Sequence, residues 1–410
     1  MTYPAIVPGA GAADRRRVLY PTDVYLPRVN GVSTSIATFR RELAVVGVDA
    51  HVVCPRYGDE TAESETTRLA GRPVPFDRED RFVAPGRFVA AATRLEFDLV
   101  HVQTPFSAHR AGVRLARSRD VPLVETWHTD FEHYFEHYLP LVPAALARAV
   151  GRSIARRVGR AVDRLIVPSS AVDAALAASG VTTPRVVLPT GLAAEDLGPG
   201  DGGRFRAAHG IAPDRPVAVH VGRMAREKNV GFLLDVADRV RREIPDLLLV
   251  LAGEGPARAE LERQVRRLGL EDSVLQLGYL DRRRQLADCY RAGDCFLFAS
   301  TTETQGLVLL EAMSLGVPVV AIAAGGTVDL LAPRRGALVP AADRGEFAAA
   351  VVRLLGDRAL AERLSREARQ EAGRWSAASG AERLAAVYDE LLDAGPRRRS
   401  VRHPAVTPAD

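Results

Sequence analysis

The run Gly222-Arg223-Met224-Ala225-Arg226-Glu227-Lys228-Asn229 sets Arg223 and Lys228 beside a glycine turn, between an apolar strand pattern at residues 217–221 and a helical pattern from Val230. That setting suits a diphosphate. A helix N-terminus offers unpaired N–H groups and partial positive charge, arginine a two-pronged donor and lysine a point charge. Composition sharpens the reading: of the 55 basic residues Lys228 is the only lysine, and Asn30 and Asn229 are the only asparagines. A merely solvated loop gives no reason for the single lysine to fall there.

Downstream, Glu303 and Glu311 bracket a second glycine turn, Thr304-Gln305-Gly306-Leu307-Val308, after an apolar strand pattern at residues 295–299. Gly306 opens a helix that Gly316 and Pro318 bring to an end, so Glu303 sits on the loop and Glu311 on the helix. The two carboxylates of a glycosidase must flank one bond at roughly 5 to 9.5 Å, which this placement fits poorly. Carboxylates also accept two hydrogen bonds from sugar hydroxyls. One on a hexose and one on a ribose is the better assignment.

In the first half, Pro27-Arg28-Val29-Asn30-Gly31-Val32-Ser33 joins a strand pattern to a helix that Gly47 terminates. Gly31 lets the backbone approach a phosphate without a Cβ in the way. Glu125-Thr126-Trp127-His128-Thr129-Asp130 follows another strand pattern and projects from its end, with His128 the candidate for catalysis. His133 and His137 stand four apart after Glu132 but lack the HExxH order, so no metal is assigned to them. No Asp-x-Asp of the type that chelates a metal-bound sugar diphosphate stands at a strand end, which leaves Arg223, Lys228 and a helix terminus to neutralise the phosphates. Metal independence, with no cofactor beyond the donor nucleotide, is the expectation.

Positioning these groups requires strand ends. Strands are predicted near residues 18–20, 50–54, 99–102, 123–126, 165–167 and 186–188, then near 217–221, 247–251, 274–277, 295–299 and 317–322, with helices between them. That alternation predicts an α/β chain of two doubly wound parallel sheets with ligands at the strand carboxyl ends, in a central cleft. The expected division is a disordered N-terminus (1–15), an acceptor-binding domain (16–197), a linker of Gly and Asp (198–203), a nucleotide-sugar domain (204–375), a helix packing back across the cleft (376–395) and a disordered tail (396–410). At 410 residues two cores are expected. A charge of +4 is too small to point to a nucleic-acid partner. Cys54, Cys289 and Cys295 form no paired framework and read as reduced core thiols. Met1 to Ala13 lacks a basic segment followed by an apolar one, so a cytoplasmic location is expected.

Between Leu141 and Leu165, Arg148, Arg152, Arg156, Arg160 and Arg164 recur every four residues, opposite Val142, Leu146, Val150, Ile154, Val158 and Val162. The pattern predicts one basic, amphipathic helix suited to peripheral contact with an anionic membrane, at the inner face of the plasma membrane.

The stretch Gly222 to Asn229 resembles the G-R-x-x-x-E-K-N motif, and Glu303 to Glu311 the E-x7-E motif, of the retaining GT-B glycosyltransferases of family 4, in its branch of lipid and envelope α-glucosyl- and α-mannosyltransferases. The likeness extends from about Val18 to Leu392. It implies a GT-B fold and an enzyme, a hexosyltransferase that moves glucose or mannose from a UDP- or GDP-sugar to a membrane lipid such as diacylglycerol or phosphatidylinositol, or to an envelope saccharide. By position it implies Arg223 and Lys228 on the diphosphate, Glu303 on the hexose, Glu311 on the ribose, and the amides of Gly306, Leu307 and Val308 on hexose and phosphate. Glu254, Gly255 and Gly278 would lie near the base, the Asn30-Gly31 loop near the phosphates, and His128 in the active site, with His101 a structural strand-end residue. The segment from Phe131 to Pro140 resembles that of lipid-modifying members. Many members carry an aromatic where Thr304-Gln305 stands, which leaves the hexose open. A soluble small-molecule acceptor, a GT-B sugar-nucleotide epimerase and a binding protein without catalysis are the other readings.

Overall fold

The computed structural model describes residues 15–58, 60, 63–74, 77–128, 144–193, 196–282 and 284–394. The expected disordered ends, His133, His137 and the 131–140 segment fall outside them, apart from Arg15 of the first.

Two all-parallel sheets organise the chain. The first runs β3 (Thr66–Ala70), β2 (Val48–Arg56), β1 (Arg16–Pro21), β6 (Leu99–Val102), β7 (Leu123–Thr126), β8 (Arg164–Val167), β9 (Arg185–Val187), with β4 (Arg72–Val74) and β5 (Asp77–Phe82) forming a separate antiparallel hairpin. The second runs β12 (Val274–Leu277), β11 (Leu248–Ala252), β10 (Val217–Val221), β13 (Cys295–Phe298), β14 (Val319–Ala321), β15 (Ala337–Leu338). Central strands such as Leu99–Val102 and Cys295–Phe298 are buried at every residue, as parallel strands covered by helices on both faces must be. Strand order reverses beside β1, between β2 and β6, and beside β10, between β11 and β13. In doubly wound sheets the loops leaving neighbouring strands splay apart at such switch points, which is where ligands bind. The three cysteines are unpaired and buried.

The predicted linker proves to be part of the second domain. Leu197 lies in that domain's core, Asp201 N–H donates to Asp288 at 2.6 Å, and Arg204 pairs with Asp288 at 2.6 Å. Gly202 packs so closely that a Cβ would stand 2.2 Å from the carbonyl oxygen of Arg291. Glycine there permits close packing, not flexibility. The chain crosses between domains earlier, at Gly191-Leu192, where Leu192 forms an isolated β-bridge with Ser376 on the returning segment.

The last helix, Ala377–Ala394, returns to the first domain. Ala381, Leu384, Tyr388 and Leu391 join the core beneath the helix Gly31–Val45. The Tyr388 hydroxyl meets both the Tyr20 hydroxyl and His101 Nδ1 at 2.6 Å, while His101 Nε2 meets Thr126 Oγ1 at 2.7 Å. Tyr388→Phe strips a partner from two buried polar groups, so it should lower stability by about 1–3 kcal/mol in urea unfolding. An unchanged midpoint would mean that this helix end is not structurally coupled to β1 and β6.

Candidate active site

The second switch point gathers the residues of the two sequence motifs. After β10, the turn at Gly222 to Met224 is held by the neighbouring Gly253-Glu254-Gly255 loop: Gly222 N–H donates to Ala252 O, Met224 N–H to Glu254 O and Ala257 N–H to Met224 O, at 2.8–3.0 Å. Arg223 is half-buried on this turn. A short 3-10 turn, Arg226–Lys228, follows, and then Asn229 in the left-handed region (φ 54°) immediately before the helix Val230–Val240. Asn229 Nδ2 donates to Ala299 O at 3.3 Å, and the Ser300 hydroxyl donates to Glu227 O at 3.1 Å, which ties this turn to the loop leaving β13.

Lys228 and Glu303 meet there. Lys228 Nζ lies 2.5 Å from Glu303 Oε1, with side chains 24% and 16% exposed. The lone lysine and the loop carboxylate thus form one half-buried ion pair at the mouth of the switch point, each within reach of an entering ligand. Gly306, at φ 90°, turns the loop into the helix Leu307–Ser314, whose first amides include those of Leu307 and Val308. Ligand-binding potential at such a helix start comes from N–H groups that lack intrahelical partners.

Glu311 is not a surface acid. It is buried, accepts from the Tyr290 hydroxyl at 2.8 Å and pairs with Arg282 at 2.6 Å. Burial first, and the Glu311 charge second, push the Tyr290 phenol well above its usual value, so it stays a donor. Both oxygens of Glu311 are engaged, and a ribose hydroxyl would have to replace or join Arg282. Glu254 and Gly278 are neighbours: a side chain at Gly278 would stand 2.7 Å from Glu254 Oε1, and Glu254 pairs with Arg258 at 2.6 Å.

At the first switch point, Asn30 caps the helix Gly31–Val45. Its side chain accepts from Ser33 N–H at 2.9 Å and the Ser33 hydroxyl accepts from Asn30 N–H at 2.9 Å. Asn30 therefore shapes the helix start, and Gly31 leaves open space there, with nothing within 4 Å of a Cβ. Asp23, after β1, accepts from the Thr104 hydroxyl at 2.7 Å and from Ala108 N–H at 3.1 Å. His128 lies just past β7, its Nε2 3.4 Å from Gln103 Oε1. Among the described residues no group of three His, Cys, Asp or Glu side chains is arranged to hold a metal ion.

The basic stripe does not survive as one helical surface. The helix Ala144–Gly159 ends before Arg160, and Arg164 begins β8 and pairs with Glu390 at 2.5 Å. Arg156 turns inward to donate to Ser179 O at 3.2 Å. The reason is packing: Ala155 and Val158 bury one side of the C-terminal half in the domain core, leaving Ser153 and Arg157 exposed there, whereas Leu146, Arg148 and Val150 are all exposed in the N-terminal half.

Sequence reasoning missed Arg282 and Tyr290 beside Glu311, and His220 beneath the ion pair. His220, on β10, is fully buried, donates from Nδ1 to Leu297 O at 3.0 Å and lies 6.2 Å from the Phe296 ring. Neither arginine nor histidine stood out locally, since the signal is the partner brought by the fold.

Several curated and structural relatives match. Residues 29–196 match the family described as Glycosyltransferase Family 4, and residues 202–371 that described as Glycosyl transferases group 1. The chain is 31% identical to the alpha-monoglucosyldiacylglycerol synthase of Streptococcus pneumoniae across 73% of this chain and 69% of that one. It is 30% identical to the GDP-mannose-dependent alpha-mannosyltransferase of Mycobacterium tuberculosis across 81% and 85%. Among solved structures, sucrose-phosphate synthase from Thermosynechococcus elongatus superposes with a TM-score of 0.78 over 93% of this chain and all of that one, at 21% identity. Anabaena Alr3699/HepE in complex with UDP and glucose gives 0.75 over 92% of this chain and all of that one, at 20% identity. At such identities the structural likeness is one of fold.

Burial lowers His128 and His220 to about 4 and His101, with the His128 charge as a second cause, to about 3. Unfolded, each titrates near about 6.5, so the native state binds fewer protons below that pH. Their contribution to stability is present above about 6.5 and is lost as pH falls towards the folded values. Asp23, raised by burial to about 6, and Glu65 and Glu125, also raised by burial, work in the opposite direction, while His51, lowered by burial, adds to the three imidazoles. Tm should fall between about pH 7 and pH 5, and His220→Phe, which removes one of these imidazole titrations, should flatten the slope. A Tm independent of pH across that window would contradict the buried neutral imidazoles.

Proposed function

Because the chain belongs to the family 4 glycosyltransferases, we propose that it transfers glucose or mannose from a UDP- or GDP-sugar to a membrane lipid of the diacylglycerol or phosphatidylinositol type, retaining the anomeric configuration and using no metal. The observation that carries this is the Lys228–Glu303 pair at the second switch point. A sugar diphosphate is the ligand that satisfies both partners once they separate: the ammonium meets phosphate oxygens and the carboxylate accepts from hexose hydroxyls. Arg223 adds a second cation on the adjacent turn. The C1–O bond to the diphosphate breaks and a C1–O bond to the acceptor forms on the same face, and the acceptor's proton passes to the departing diphosphate. Lys228, Arg223 and the start of the helix Leu307–Ser314 stabilise the charge that develops there. Glu311, with Arg282, would hold the ribose, Glu254 and Gly278 would border the base, and His128 would face the acceptor from the other domain.

The relatives named alpha-monoglucosyldiacylglycerol synthase support the lipid acceptor. Charge supports it independently. The helix Ala144–Gly159 carries no acid and exposes Leu146 and Val150 beside Arg148. Each cation near an anionic leaflet contributes up to about 1 kcal/mol, enough in sum for reversible peripheral docking. No helix among the described residues is long and apolar enough to cross a membrane.

Lys228→Ala should lower kcat/KM by about 10²-fold or more, since a cation that stabilises leaving-group charge contributes about 2.7 kcal/mol or above to the transition state. A near-normal rate, measured with the best donor from a panel of sugar nucleotides, would remove the diphosphate assignment. Vesicles containing phosphatidylglycerol should bind the protein at low salt, and Leu146→Glu should weaken that binding by about tenfold. Equal binding to pure phosphatidylcholine vesicles would exclude the electrostatic part.

A further inference from the structure

We propose that Gln305 is a positioning residue: its side-chain amide clasps the backbone of Thr190 across the two domains and fixes the Glu303 loop relative to the N-terminal half of the cleft. Thr190 N–H donates to Gln305 Oε1 at 2.8 Å, and Gln305 Nε2 donates to Thr190 O at 2.6 Å. Both residues are buried. The amide meets the peptide as a neighbouring strand would, satisfying one donor and one acceptor on each side. Without it Thr190 would hold two buried backbone groups unpaired.

Each end of the clasp is itself anchored. On the N-terminal side the Thr190 hydroxyl lies 2.7 Å from that of Ser35, in the helix Gly31–Val45 whose start Asn30 caps. On the C-terminal side, Gly326 N–H donates to Glu303 O at 2.7 Å. Gly326 is pressed so closely on this loop that a Cβ would stand 1.9 Å from Thr304 O, which only glycine allows. The loop bearing Glu303 is therefore pinned by Gly326 and held by Gln305 on Thr190. The clasp also sits one residue from the Gly191-Leu192 crossing, where Leu192 N–H donates to Trp375 O and Ala377 N–H to Leu192 O. Domains that rotate about these crossing segments have to open this pair, so its two hydrogen bonds fix the angle at which the halves face each other. Asp329 adds an outer contact by accepting from Ser170 N–H at 2.7 Å, but that contact is exposed. An aromatic at position 305 could fill the space and would leave Thr190 unpartnered. Gln305 thus acts on domain geometry, and the choice of hexose does not depend on its touching the sugar.

On the hexosyltransferase reading a nucleoside diphosphate is held mainly by the C-terminal half, whereas hexosyl transfer needs both halves aligned. The two can be separated with Gln305→Met, which removes both hydrogen bonds at similar volume, and Gln305→Glu, which as a neutral acid can donate and accept as the amide does but as a carboxylate cannot donate. Thr190 amide exchange should accelerate by about tenfold or more in the Met variant. With the same variant kcat should fall by about tenfold or more while Kd for UDP or GDP stays within about threefold of wild type. The Glu variant, expressed as a ratio to wild type so that titrations common to both proteins cancel, should regain kcat as pH falls from about 8 to about 5.5, and the Met variant should not. Tm of both variants at the lower pH checks that they are folded. Unchanged Thr190 exchange in the Met variant, or a kcat equal to wild type, overturns the clasp. The kinetic arm rests on the hexosyltransferase reading, and the exchange arm does not. Accelerated exchange in a protein that transfers no hexose from any donor would therefore support the clasp and sink that reading instead.

Discussion

The half-buried pair of Lys228 and Glu303 constrains everything around it. Each charge is only partly hydrated, so neither partner can be abandoned without a replacement of matching sign or hydrogen-bonding capacity. A free phosphate could take the ammonium but would leave the carboxylate unpaired and repelled. A neutral sugar could serve the carboxylate but would strand the ammonium. On the proposed reading, one molecule that carries hydroxyls beside a diphosphate resolves both. The same logic applies at Glu311, where Arg282 and Tyr290 already engage the buried carboxylate and an incoming diol must match what it displaces.

Switch-point geometry explains why the motifs have to lie where they do. Lys228 comes from the loop after β10 and Glu303 from the loop after β13, strands 74 positions apart in sequence at Val221 and Cys295 but adjacent in the sheet. Parallel pairing aligns their carboxyl ends, and the loops can meet only there. Three further contacts, from Asn229 to Ala299 and from Ser300 and Thr302 to Glu227, turn that adjacency into a fixed distance. Rigidity at this level comes from backbone carbonyls accepting side-chain hydrogen bonds, which needs no large apolar core beneath the loop.

Much of this was legible in the sequence. The strands that became β1, β6, β7, β10, β11 and β13 are short apolar runs bounded by turn residues, and burial on both faces leaves that signature. β3 carries Thr and Arg on a half-exposed edge, β15 is two residues long, and the β4–β5 hairpin is charged, so none announces itself. The second-domain motifs were readable because glycine, lysine and glutamate stand at fixed offsets from a strand. The roles of Arg282, His220 and Gln305 were not, because each depends on a partner far away in sequence. The glycines at 198–203 pointed to a linker since composition cannot distinguish glycine chosen for freedom from glycine chosen for close approach. The arginine stripe failed for a related reason: four-residue spacing says which residues would share a helix face but not where the helix stops, and Arg164 lies in a strand.

The acceptor side follows from where the helix Ala144–Gly159 is buried. Its C-terminal half supplies Ala155 and Val158 to the core, and its N-terminal half shows Leu146 and Val150 to the exterior. Hydrophobic burial at about 25 cal/mol per Å² favours covering those two side chains, and the surrounding arginines favour an anionic cover. On the lipid-acceptor reading both demands are met by one surface, which would bring headgroups to the domain that carries His128. The nucleotide half need not touch the membrane. What must then be controlled is the angle between the halves, since an acceptor fixed at a surface cannot adjust to a donor that swings. Crossing segments at Leu192 and Ser376 permit such a swing, and the buried Gln305–Thr190 contact beside them opposes it. A lipid-facing transferase has more need of that restraint than one whose acceptor diffuses freely, which gives a physical reason for a hydrogen-bonding side chain where an aromatic would otherwise fill the space.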